Sequence, residues 1–243
     1  MTLPATETTR VPLTPRERRV LGVLVEKQKT TPEGYPLSLK ALVTGCNQKS
    51  ARDPVTNYDD DDVEETLDGL RKKGAAVVVE GSGRVVRYKH TLYDWLDLKG
   101  KGAAMAVLAE LMLRGPQTEG DLRGRANRMD PIPDLASLQA ILDVLSEQGL
   151  VIYLSPPGQK RGVVVTHGLY PTQELARVRN DFANAPVVAE DVERPSRSAS
   201  TTASASSGWT EEAVALRAEL EALRQMVQAL GDEVRALKSA LGA

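Results

Sequence analysis

Two histidines, one cysteine and a run of aspartates are the residues whose type and spacing could do chemistry. His90 and His167 could act as metal ligands or as a base, but each needs partners. No Cys/His cluster completes a ligand set, so no metal site is expected. Cys46 lies in Thr44-Gly45-Cys46-Asn47-Gln48, with no histidine close in sequence to take its proton. A reactive thiol needs such a neighbour, so Cys46 reads as a small half-buried apolar side chain. As the one cysteine of the chain it forms no internal disulfide. Asp59-Asp60-Asp61-Asp62 could suggest calcium, but a calcium loop alternates its ligands and ends in a distant glutamate. Four adjacent aspartates instead cap the first turn of a helix and favour its positive end. Gly81-Ser82-Gly83 lies between two apolar runs rather than before a helix, so it reads as a hairpin turn and not a phosphate loop. The reading is non-enzymatic: no catalytic residue, no cofactor and no metal.

Binding has more to stand on. Arg84, Arg87 and Lys89 alternate along one apolar run, where residues two apart share a face. Lys160 and Arg161 sit at a second turn, Arg123, Arg125 and Arg128 crowd one short helix, and Lys49 and Arg52 precede the acidic helix. Such groups could hold phosphates without reading bases. The formal net charge of −2 and pI of about 5.9 exclude a protein that coats nucleic acid by charge alone. The segment Asp59 to Lys73 holds seven acids against three bases. Acids there would oppose the counterion release that drives DNA binding. Asp134 to Gly149, its counterpart, holds Asp143 and Glu147 and no base. The expected function is that of a DNA-contacting regulator that meets duplex DNA through these basic groups. The alternative is a protein–protein adaptor that uses the acidic third helices and a coiled coil.

An internal repeat positions these residues. Leu67-Asp68-Gly69-Leu70 before Gly74 matches Leu142-Asp143-Val144-Leu145 before Gly149, 75 residues later. Each glycine is followed by an apolar run, a turn, a second run and a histidine: Ala75 to Val79 and Val85 to Tyr88, ending at His90, then Leu150 to Leu154 and Val163 to Val165, ending at His167. That is helix, glycine stop and β-hairpin, twice. Matching histidines suggest a structural role. Upstream, Thr14-Pro15-Arg16-Glu17 carries a capping box, and Val20, Leu21, Leu24 and Val25 form an apolar face at helical spacing. Helices are predicted at Leu39 to Cys46, Gly102 to Arg114 and Thr118 to Met129. The expected fold is mainly α with small β-hairpins (α+β): two tandem winged helix-turn-helix domains plus a C-terminal coiled-coil helix.

The domains are read as a disordered 1–12, a first winged helix over 13–96, a second over 97–179, a flexible Ser/Ala-rich linker over 180–208 and a coiled-coil helix over 209–241. Each predicted domain is nearly neutral, with 14 bases and 13 acids in the first and 10 and 9 in the second. Any basic surface must therefore arise by local segregation. In the tail, Leu216, Leu220, Leu223, Val227, Leu230, Val234 and Leu237 recur at alternating spacings of three and four, a heptad seam. Glu212 and Glu219 at g face Arg217 and Arg224 at e, five residues on. A parallel homodimer is expected. Met1 to Pro15 has no apolar run, and no stretch approaches the roughly 20 apolar residues of a membrane span, so a cytoplasmic protein without a membrane partner is expected.

The strings L-T-P-R-E-R-R-V-L-G-V-L-V-E-K-Q, T-T-P-E-G-Y-P-L-S-L and C-N-Q-K-S-A-R-D-P-V resemble the YceH family of bacterial proteins. Leu111 to Gly115 and Leu122 to Ala126 match it too, and the similarity covers about residues 13–170. The resemblance implies tandem winged-helix domains and a cytoplasmic bacterial setting. It implies no catalytic residue, ligand or substrate.

Overall fold

The structure, a computed structural model, describes residues 11–79, 85–159 and 161–184. Residues 1–10, the first hairpin turn with Arg84, Lys160, the linker beyond Asn184 and the heptad seam lie outside the described residues. The fold is α-rich with small antiparallel sheets.

Helix α1 (Pro15–Thr30) starts where the sequence places it. Thr14 accepts from the Glu17 amide, and the Glu17 carboxylate accepts from the Thr14 amide. Strand β1 (Leu37–Ser38) precedes α2 (Leu39–Cys46) and α3 (Asp60–Lys72). Asp59 and Asp62 form the capping box of α3, so two of the four aspartates serve as expected. Strands β2 (Ala76–Val79) and β3 (Arg87–His90) follow, then the short α4 (Leu92–Trp95). The pattern then recurs as α5 (Gly102–Arg114), β4 (Gln117–Thr118), α6 (Glu119–Ala126), α7 (Leu135–Glu147), β5 (Val151–Tyr153) and β6 (Val164–His167). Helix α8 (Thr172–Asn184) closes the described part. The sheets have equivalent orders, β1-β3-β2 and β4-β6-β5.

The structure corrects some expected boundaries. The second run of the first hairpin is displaced by two residues. Pairing Ala76 with His90 carries the four residues of β2 only as far as Arg87, leaving Val85 and Val86 exposed before the ladder. Helix α6 stops at Ala126 instead of Met129. Helix α8 continues past Arg179 into residues read as linker. Strands β1 and β4 went unpredicted because two residues carry no readable period.

The described residues fall in one compact unit, so both repeats share a body. The reason is α1 and α5. Val20, Leu21, Val23, Leu24 and Val25 are wholly buried, as are Met105 to Ala109, Leu111 and Leu113. A helix apolar all round has to be covered all round. Each of these helices packs on its own repeat and on the other. Gly22 makes the close approach possible: a Cβ there would lie 2.8 Å from Leu113 Cγ. Backbone bonds also cross between repeats, from the Leu13 amide to the Leu169 carbonyl (2.9 Å) and from the Asp53 amide to the Leu113 carbonyl (3.0 Å).

Candidate functional site

The cysteine and the two histidines singled out for chemistry are built into the core. Cys46 is buried at the end of α2, and burial pushes its thiol up to about 12, so it stays protonated at neutral pH. His90 and His167 end equivalent strands and make the same bond: Nδ1 of each accepts the amide two residues on, Leu92 and Leu169, at 3.2 Å. His90 Nε2 faces Gln28 Oε1 at 2.7 Å, and with Nδ1 accepting, this nitrogen carries the proton. Burial lowers His90 to about 4, with the positive Lys29 nearby adding to the effect. Burial and then Arg18 lower His167 well below its ordinary value. Among the described residues, no group of three or more His, Cys, Asp or Glu is placed to hold a metal ion.

The expected phosphate contacts fare unevenly. Arg52 needs the clearest correction. Its guanidinium is wholly buried and pairs with Glu26 at 2.5 Å, while Nε donates to the Gly45 carbonyl. A side chain sealed in this way cannot reach a phosphate outside. Arg128 donates to Glu26 at 2.5 Å and to Glu110 at 3.3 Å. Arg123 caps the carbonyls of Ile132 and Pro133, and Arg125 donates to Gln117. The crowded arginines are therefore spent on internal acceptors. Lys49, Arg87, Lys89 and Arg161 remain exposed, and Arg128 keeps part of its side chain exposed despite its two carboxylates. Arg87 and Lys89 do share the outer face of β3, as the alternation predicts, with Tyr88 and His90 turned inward. Arg87 also donates to the Pro36 carbonyl at 2.8 Å.

At the centre lies a charge cluster that sequence reasoning missed. Glu26 on α1 and Glu110 on α5 are both buried. Arg52 and Arg128 converge on Glu26 from the two repeats, and Arg114 Nε approaches Glu110 Oε1 at 2.9 Å, a close charge contact without hydrogen-bond alignment. Burial pushes the Glu26 carboxyl up, but the hydrogen bonds and charges of Arg52 and Arg128 more than offset this and lower it. Lys29 adds a further link to Asp130 at 2.6 Å. A signal was available: Glu110 is the one acid inside the otherwise apolar Gly102–Arg114, and Glu26 shares a helical face with Gly22.

The outer surface of α3 remains acidic. Asp60 pairs with Lys40, and Asp62 pairs with Arg16 at 2.9 Å. Asp61, Glu64, Glu65 and Asp68 are exposed, and of these only Asp68 holds a base, Arg71. On α7 the exposed residues include Leu135 and Val144 beside Asp143 and Glu147.

A family model described as "Protein of unknown function, DUF480" matches residues 13–159. The chain belongs to this family. A UPF0502 protein of Rhodopirellula baltica is 56% identical over 163 residues, covering 67% of each chain. One from Geotalea uraniireducens is 44% identical over 179 residues, 74% of this chain and 76% of its own. One from Shewanella halifaxensis is 39% identical over 230 residues, 93% and 98% of the two chains. These matches agree with the YceH-like strings. In this DUF480 chain the string Cys46 to Val55 has a visible structural task. It carries Arg52 into the charge cluster and ties the Asp53 amide to α5. No helix of the described residues is long and apolar enough to cross a membrane.

Proposed function

We propose that this DUF480 protein is a non-catalytic, tandem winged-helix module that docks a basic protein partner on its third helices. The order α1-β1-α2-α3-β2-β3, repeated from α5 to β6, supports the winged-helix assignment. One observation favours docking over DNA. Arg52 is sealed in the core and Arg128 is held by two buried carboxylates, while the outer face of α3 presents Asp61, Glu64, Glu65 and Asp68. A winged helix that reads DNA puts this helix into the major groove, where acids oppose phosphate. The exposed pair Arg87 and Lys89 favours DNA as the second reading.

Fluorescence anisotropy separates the two. A lysine-rich peptide should bind at low salt and lose binding when Asp61, Glu64, Glu65 and Asp68 become their amides. A random-sequence duplex should bind neither tightly nor with a steep salt slope. If the duplex binds instead, and Arg87→Ala with Lys89→Ala flattens the salt slope by about two, the DNA reading takes over.

We also propose that two copies join through the heptad seam outside the described residues, since isolated helices of that length are marginal in water. Truncation after Ser207 should turn a dimer into a monomer by light scattering, with the compact unit intact. A full-length monomer at tens of micromolar would remove this proposal.

A further inference from the structure

A cleft is formed by α1, α5, α8 and the loop over residues 53–58. It has a volume of about 330 Å³, at the small end of ligand sites. Arg18, Arg19 and Arg114 all line it, beside Met112, Tyr170 and Val178. The three cations are not equivalent. Arg18 is held bidentate by Glu174 and lies over the Tyr170 ring. Arg114 sits against Glu110. Arg19 has no carboxylate. Two of its nitrogens donate to the carbonyls of Cys46 (3.1 Å) and Pro54 (2.6 Å), and its buried Nε–H has no acceptor.

Of the buried arginines, Arg18 and Arg52 each hold a carboxylate, whereas Arg19 is 4% exposed and unmatched. A buried guanidinium without a counter-charge is costly. Asp53 lines the same cleft and its charge favours the Arg19 cation, but it stands beyond ion-pair distance and leaves the guanidinium Nε without an acceptor. Arg19 therefore has no carboxylate in contact, and it lines a space walled by Met112, Pro116 and Val178.

We propose that this cleft binds a small monocarboxylate with an apolar body, its carboxylate directed to Arg19 and its body against Met112 and Val178. One cation without a contacting carboxylate fits one negative charge. A phosphate monoester would bring a second, which Asp53 and Glu174, also lining the cleft, would oppose. The site lies within the compact unit and stands independently of the docking surface on α3.

Benzoate is the probe, with benzyl alcohol and inorganic phosphate as controls, titrated calorimetrically into the full chain at pH 7. Benzoate should bind with a Kd of about a millimolar or tighter, as its size allows. Benzyl alcohol and phosphate should each bind at least about tenfold more weakly, one lacking the charge and the other the body. Arg19→Gln should abolish benzoate binding. Because Arg19 also anchors two carbonyls, Val178→Glu is the companion variant: Val178 is half-buried on α8, so the new carboxylate enters the cleft without opening the core. Val178→Glu should also abolish binding while leaving the melting temperature of the free protein within a few degrees. The proposal is overturned if benzoate does not bind, if benzyl alcohol or phosphate binds as well as benzoate, or if Val178→Glu binds it undiminished.

Discussion

Replacing Glu26 with Ala should lower the free energy of unfolding by about 3–5 kcal/mol, the usual cost of breaking a buried ion pair from one side. Glu26 is the shared acceptor of Arg52 and Arg128, and the Arg52 side chain has no exposure of its own. Without Glu26, the Arg52 guanidinium keeps its donors to the Gly45 and Ala51 carbonyls but loses its only counter-charge. A domain with a typical total stability of about 5–15 kcal/mol would lose a large fraction of it. The loss should reach both repeats, because Glu26 sits on α1 and Arg128 follows α6. Urea denaturation monitored by circular dichroism reads this directly. Asp68→Ala provides the scale: it breaks the exposed Asp68–Arg71 pair and should cost under about 1 kcal/mol. The double variant Glu26→Leu, Arg52→Met should recover much of the loss, since an apolar pair needs no desolvation of charge. If Glu26→Ala costs no more than Asp68→Ala, the cluster does not hold the repeats together.

Acidification between pH 6.5 and 4 should destabilise the protein before its carboxylates begin to titrate in earnest. His90 is lowered by burial from 6.5 to about 4, and burial also lowers His167 well below its ordinary value. Above pH 6.5 both forms of the chain hold neutral histidines and the difference has no effect. Below it, the unfolded chain takes up protons that the folded chain refuses, so stability falls as pH drops. His90 alone accounts for a loss of about 3 kcal/mol across that window. The Glu26 contribution acts lower down: its depressed carboxyl stabilises the fold above its unfolded value near 4.5 and is lost as pH falls through the folded value. Melting curves at pH 7, 6, 5 and 4.5 should therefore show a steady decline. His90→Gln, which can still face Gln28, should have a lower stability at pH 7 and a shallower slope, by about one proton. A flat profile between pH 7 and 5 would mean that the histidines protonate in place, contrary to their burial.

Local chemistry along the chain is enough to determine the element list. The capping boxes at Thr14 and Asp59, the periodic apolar faces and the paired L-D-x-L-x-x-x-G segments place α1, α2, α3, α5 and the two hairpins within a few residues. These are contacts between residues three or four apart, or across a short turn, so the information is local. The structural role of the matching histidines was legible for the same reason, because a repeated sequence places repeated side chains at repeated strand ends. The fate of the charges was not legible. Whether Arg52 faces water or Glu26 depends on a partner 26 residues away, and Arg128 reaches Glu26 across 102 residues. A side chain's type says that it carries a charge; only the packing of α1 on α5 decides whether that charge is exposed or buried. The same packing ties Arg123, Arg125 and Arg128 to internal acceptors, gathers Arg18, Arg19 and Arg114 around one cleft, and leaves the acids of α3 outside. Burial depends on the whole tertiary arrangement, and a linear pattern of charges does not contain it.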